Sequence, residues 1–205
     1  LDGHLDPSGT THAYAKAARM GGADIITHTK VTATTQRPDG SWDIVTDKGS
    51  IHAEHVVNAA GLWAREVGAM AGLYFPLHPM EHQYIVTDDV PQIYERDQEH
   101  PHVMDPSGES YLRQEGRGLC IGFYEQACKP WAVEGTPWNF GHELLPDDFD
   151  KINDSIEFAY RRFPVLQSAG VKSVIHGPFT FAPDGNPLVG PVPGVRNYWA
   201  ACGVM

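Results

Sequence analysis

The sequence predicts a mixed α/β chain in which a parallel-sheet unit is interrupted by a mostly antiparallel sheet. Three observations predict it. First, His55-Val56-Val57-Asn58-Ala59-Ala60-Gly61, followed by helical residues 62–71, reads as a short buried strand, a small-residue turn and a helix. That succession is the building block of a nucleotide-binding α/β sheet. Second, from Phe75 onward, extended segments at 83–86, 111–113 and 119–124 alternate with loops rich in Asp, Pro, Gly and Ser. Short extended runs between turn residues are the mark of an antiparallel sheet. Third, a Pro/Gly-rich stretch over 177–194 leads to Ala200-Ala201-Cys202-Gly203, a small-residue strand running into a glycine turn.

The elements follow from local chemistry. Asp6-Pro7-Ser8-Gly9 supplies a cap and a proline for a helix over 10–20, with Tyr14, Ala17 and Ala18 on one stripe and Gly21-Gly22 as its stop. Ile25, Ile26 and Val31 give a β-rich run across 23–35. Arg37-Pro38-Asp39-Gly40 is a hairpin turn, because Asp-Gly favours positive φ. Trp42, Ile44 and Thr46 then alternate with Asp43, Val45 and Asp47, Asp47-Lys48-Gly49 turns again, and 50–53 completes a meander. A long helix is expected over 146–162, where Phe149, Ile152, Ile156 and Tyr160 recur near helical spacing, and Phe163-Pro164 ends it. The elements divide the chain into 1–73, 74–176 and 177–205.

Composition excludes several functions. With 15 Lys+Arg against 26 Asp+Glu, the 205-residue chain carries a net charge of −11, which repels phosphate backbones and anionic membranes. Its densest basic cluster is Arg161-Arg162. No apolar run approaches the roughly 18 residues of a membrane helix. The three cysteines are too few and too irregular for a disulfide framework or a zinc knuckle; Cys120 and Cys128 read as buried small hydrophobes, and a reducing compartment is expected. Of the 11 histidines, only His52/His55 and His100/His102 are close, and neither pair has metal-site spacing. No G-x-S-x-G elbow supports hydrolase chemistry. The beginning at Leu1 and the small-residue end read as cuts, so a fragment is expected.

Four motifs, in order, carry a resemblance. They are Asp2-Gly3-His4-Leu5-Asp6-Pro7 with its helix; Gly22-Ala23-Asp24-Ile25 through the meander to Val56-Val57-Asn58-Ala59-Ala60-Gly61-Leu62-Trp63; His78-Pro79-Met80-Glu81-His82-Gln83-Tyr84-Ile85-Val86-Thr87; and Pro183-Asp184-Gly185-Asn186-Pro187-Leu188-Val189-Gly190-Pro191. Together they resemble the FAD-dependent amine oxidoreductases of the D-amino-acid oxidase and sarcosine oxidase superfamily, most of all the dimethylglycine and sarcosine dehydrogenases. The resemblance implies part of a Rossmann-like FAD-binding domain with an inserted, mostly antiparallel substrate domain. The family's G-x-G-x-x-G turn and any covalent attachment site for FAD are expected outside this segment.

The resemblance also implies roles. Ala59, Ala60, Gly61 and Trp63 are expected beside FAD, and Val31 is expected to hold the adenine edge through its backbone. His82, Tyr84, Tyr111 and Tyr124 are expected at the substrate: aromatic walls suit a methylated ammonium, and tyrosine hydroxyls can bind a carboxylate or take the ammonium proton. His176 and Arg113 are weaker candidates, each with an ordinary packing or surface alternative. The implied reaction passes hydride from an N-methyl group to the flavin, with tetrahydrofolate and an electron-transfer flavoprotein as partners of the whole protein, in a bacterial cytoplasm or a mitochondrial matrix. The alternatives are another amino-acid or glycerol 3-phosphate oxidoreductase of the superfamily, which the acidic balance disfavours for a phosphate, or a binding module without turnover.

Overall fold

A computed structural model describes residues 5–124 and 127–204, so Asp2-Gly3-His4 lies outside the described residues. Helix α1 (Pro7–Met20) opens three residues earlier than expected. Asp6 accepts the Gly9 amide at 2.5 Å, and the fixed φ of Pro7 pre-organises the first turn. The expected stripe of Tyr14, Ala17 and Ala18 buries nothing; Tyr14 is 75 % exposed.

The run expected across 23–35 narrows to β1 (Val31–Gln36), because His28 adopts a left-handed φ of 52° and interrupts it. β1 pairs with β2 (Trp42–Thr46), which pairs with β3 (Gly49–Ala53), giving the expected meander. Its first turn is gripped from afar: Arg196 Nη2 donates to the Pro38 carbonyl at 2.6 Å and Asn197 Nδ2 to the Gly40 carbonyl at 3.2 Å. Buried Trp42 meets Tyr198 edge-on, with ring centroids 5.2 Å apart.

β4 (Val56–Asn58) leads into a 3-10 turn, Gly61–Trp63, and then α2 (Ala64–Met70), so the expected helix over 62–71 is split. The extended segments lengthen into β5 (His78–Thr87), β7 (Ser110–Glu115) and β8 (Gly118–Phe123), with α3 (Pro91–Tyr94) and β6 (Val103–Asp105) between β5 and β7. Short β9 (Lys129–Pro130) pairs with β5. Helix α4 (Phe149–Arg162) begins later than expected. Residues 145–148 are held extended instead: Leu145 donates to the His176 carbonyl at 2.8 Å, and Gln83 exchanges two hydrogen bonds with the Asp148 backbone, at 2.5 and 3.2 Å.

The 177–194 stretch contains an element the turn residues hid. β10 (Val171–Phe181) runs unbroken through Gly177-Pro178 and across the expected division at 176/177. It lies at the end of the sheet order β10-β5-β8-β7-β6, where the missing N–H of Pro178 costs no ladder bond. β11 (Leu188–Pro191) and β12 (Tyr198–Cys202) follow, and β12 joins β4 in parallel.

Two cores result. One packs α4 on the antiparallel sheet, with Ile85, Ile121, Phe123 and a fully buried Ile152. The other joins distant sequence, with Trp42, Ala64, Phe75 and Leu77 against Ala182, Tyr198, Ala200 and Cys202. Truncating a large buried side chain in either costs about 2–5 kcal/mol.

Candidate active site

Two clefts meet at β10. The larger, of about 310 Å³, lies on one face of the antiparallel sheet and takes in all four expected substrate residues, His82, Tyr84, Tyr111 and Tyr124. Strand period explains the gathering. His82 and Tyr84 are two residues apart on β5 and so share a face. Tyr84 stands opposite Gly122, and Gly122 opposite Tyr111, which sets the two tyrosines across a glycine floor. A second glycine, Gly177 of β10, stands opposite His82.

The walls are aromatic. Tyr111 and Tyr124 have centroids 5.7 Å apart, and the His82 ring lies 5.1 Å from Phe179, 5.2 Å from Phe181 and 6.4 Å from Tyr124. Tyr124 is 46 % exposed and marks the mouth. Burial pushes both inner phenols up, Tyr111 strongly, with the Cys120 thiol adding to it. The upward shift favours the protonated phenol, which can donate a hydrogen bond into the cleft.

Two weaker candidates turn elsewhere. Arg113 pairs with Glu115 and lines a neighbouring hollow rather than the cleft. Buried His176 presents Nδ1 to the Pro146 carbonyl at 2.5 Å and Nε2 to Glu81 at 3.6 Å, so it clamps the segment before α4. The expectation that Cys128 is a buried hydrophobe also needs correction: it is half-buried, with Sγ 3.2 Å from His82 Nε2.

The smaller cleft, of about 280 Å³, lies where the parallel strands β4 and β12 end. Ligands of open α/β sheets bind outside the carboxyl ends of such strands. Ala59 and Gly61 line it from one side, Ala201 and Gly203 from the other, and Pro178 and Phe179 are shared with the aromatic cleft. Buried Asn58 shapes the turn, donating to the Ala64 carbonyl at 2.8 Å and accepting the Ala60 amide at 3.2 Å. Gly61 has φ +54°, with no neighbouring atom within 4 Å of where a Cβ would stand. Backbone is thus open to a flat ring, and the residues present fit one face of a flavin.

Ala60, Trp63 and Val31 line neither cleft. Ala60 packs on the second core, the Trp63 indole donates to the Pro137 carbonyl at 3.0 Å, and Val31 opens β1 opposite Thr46. Sequence reasoning missed Gly122, Ile175 and Phe179. A glycine inside the apolar run 119–123 was an available signal of close approach.

A small-residue crevice at parallel strand ends beside an aromatic cleft has the shape of a site for a flat cofactor next to a small molecule. The chain belongs to the family described as FAD dependent oxidoreductase, which residues 1–204 match. It is 47 % identical to the mitochondrial dimethylglycine dehydrogenase of Mus musculus over 98 % of its own length and 24 % of that protein. Against the mitochondrial sarcosine dehydrogenase of Mus musculus the identity is 38 %, covering 98 % of this chain and 22 % of that protein. The crystal structure of L-proline dehydrogenase from P. horikoshii superposes with a TM-score of 0.79 at 25 % identity, over 98 % of this chain and 50 % of that one. The chain thus spans about a quarter of the length of the curated relatives it matches. Among the described residues, no helix is long and apolar enough to cross a membrane.

Proposed function

We propose that the protein is an FAD-dependent amine oxidoreductase that demethylates an N-methylated glycine, dimethylglycine or sarcosine. This chain supplies the substrate cleft and one wall of the flavin site. The observation that carries the reading is the Pro178-Phe179 wall common to both clefts, which sets a small molecule among aromatic rings directly beside a flavin-sized crevice.

Ala59, Gly61 and Gly203 would hold the ring system through close backbone approach, and Val31 the adenine end through its own backbone. FAD held there would supply a hydride acceptor for the carbon next to the amine nitrogen. Tyr84 and Tyr111, held protonated by burial, donate to the substrate carboxylate. His82, Tyr124 and Phe179 present rings to the methylated nitrogen, an attraction of about 0.5–2 kcal/mol for a cation over a ring face. The ammonium proton leaves to water at the exposed Tyr124 mouth. We assign the flavin side to 1–73 and 177–205 and the substrate side to 74–176; the first core lies within 74–176, while Phe75 and Leu77 at the start of that segment pack with the second core. Tetrahydrofolate and an electron-transfer flavoprotein are the partners this reading adds to the whole protein, in a bacterial cytoplasm or a mitochondrial matrix.

Anaerobic mixing of the flavin-loaded protein with dimethylglycine, sarcosine, glycine and glycerol 3-phosphate tests the reading. Bleaching of the oxidised flavin by the methylated glycines, with formaldehyde as product, is expected. Bleaching by glycerol 3-phosphate alone would overturn it, and saturable amine binding without bleaching would make the chain a binding module.

A further inference from the structure

Cys128 is the one cysteine that the fold leaves half-open, since Cys120 and Cys202 are only 1 % and 2 % exposed. Its position is set by strand register. β9 pairs Lys129 with Glu81 and Pro130 with Met80, and an ion pair of 3.2 Å between Lys129 Nζ and Glu81 pins the same step. The preceding residue is thereby carried to His82, with Sγ 3.2 Å from Nε2. The groups packed about His82 include Cys128 from the β9 side, Tyr124 from the end of β8, and the uncharged rings of Phe179 and Phe181 from β10. Glu81 is engaged by Lys129 and His176.

Sγ and Nε2 share one hydrogen bond in either neutral tautomer of the ring. We propose that Cys128 is a positioning residue, which through its hydrogen bond with His82 Nε2 fixes the orientation of the imidazole that walls the substrate cleft. The proposal deepens, and rests on, the amine-oxidation reading. Its consequence falls on how well the cleft receives the amine, not on the hydride step.

The test is a cycle of variants in the flavin-loaded protein, read by flavin reduction with dimethylglycine. Cys128→Ala raises KM about three- to ten-fold with kcat within two-fold, the size expected for one lost hydrogen bond. Cys128→Ser, which keeps a donor, recovers most of the loss. In a His82→Gln background Cys128→Ala changes nothing further. An equal loss in both backgrounds, or no loss, overturns the proposal. A second measurement needs no turnover: iodoacetamide labelling followed by peptide mass. His82→Gln slows labelling of Cys128 several-fold, while buried Cys120 and Cys202 report folding. Unchanged labelling overturns the Cys128 contact and leaves the functional reading standing. Wild-type protein whose flavin no methylated glycine reduces overturns that reading, and the role given to Cys128 with it.

Discussion

Gly122→Ala is the smallest change that should disable the aromatic cleft. A Cβ at this position would stand 2.1 Å from Tyr111 Cε1, 2.2 Å from Cζ and 2.4 Å from the phenol oxygen. Ordinary contact begins at 3.4 Å, so the ring must retreat by 3.4 − 2.1, or 1.3 Å. Tyr111 has Leu112 and the β7–β8 ladder fixing its backbone, which leaves side-chain rotation as its way out. Rotation takes the phenol from its place opposite Tyr84 and lets the ring into a cleft of only about 310 Å³. Overpacking of this kind costs about 1–3 kcal/mol. If that cost falls on substrate binding, kcat/KM for dimethylglycine drops about 5- to 150-fold; if the ring stays, the same energy appears as a lowered Tm. Stopped-flow reduction and calorimetry on one preparation separate the two. In a Tyr111→Ala background the added methyl meets no ring, and the second loss should vanish. Wild-type Tm together with wild-type kcat/KM in Gly122→Ala would refute the glycine-floor account.

Asn58→Ala leaves the Ala64 carbonyl and the Ala60 amide without their buried partner, which should cost about 1–3 kcal/mol and weaken FAD binding, as urea melts and flavin titration would show. Stability should fall in alkali. Tyr84, Tyr111, Tyr198, Cys120 and Cys202 all sit above their ordinary values through burial, so the folded protein keeps protons that the unfolded chain sheds above about 9–10. The stabilisation is whole below those values and lost as pH rises through the folded ones, and Tyr111→Phe should flatten the slope of Tm against pH in that range. In acid, Asp105 works the other way: the Arg162 guanidinium at 2.9 Å holds its carboxyl below the usual range, so the pair stabilises above the ordinary aspartate value and fades as pH falls. Asp105→Asn should lower Tm at neutral pH and leave it unchanged well below that value.

The gathering of His82, Tyr84, Tyr111 and Tyr124 at one cleft was legible to the extent that it rests on strand period. Tyr84 and Tyr111 announced themselves as alternating residues on extended runs, and β-sheet geometry did the rest. What stayed hidden were contacts between residues far apart in sequence. Nothing local to Trp63 says that its indole reaches Pro137, 74 residues on, and nothing local to His176 says that Pro146 waits for its Nδ1. Both look like site residues because they stand beside the clefts in the chain. β10 was obscured for a different reason: Gly177-Pro178 carries a strong turn signal, and only the edge position of the strand makes a proline tolerable there. The delayed start of α4 belongs to the same class, since Gln83 and His176 outbid helix propensity for residues 145–148.

The edge strand that sequence reading breaks in two is what couples the two clefts. Its N-terminal half pairs with β5 beside α4, and Val174 packs on the first core; Ala182, one residue past its end, belongs to the second. A paired strand is stiff along its length because ladder bonds at alternate residue pairs hold it to its neighbour. Pro178 and Phe179, midway between the cores, therefore stand at a set distance from both. Gly177 clears the floor opposite His82, Pro178 limits φ at the junction, and Phe179 lines both clefts. Hydride transfer needs donor carbon and acceptor held within a near-attack distance, and a loop at this point would leave that distance free to vary. For the reaction proposed here, carrying the junction on a continuous strand would limit that freedom. It also explains why the glycine and proline here read as a linker and behave as a ruler.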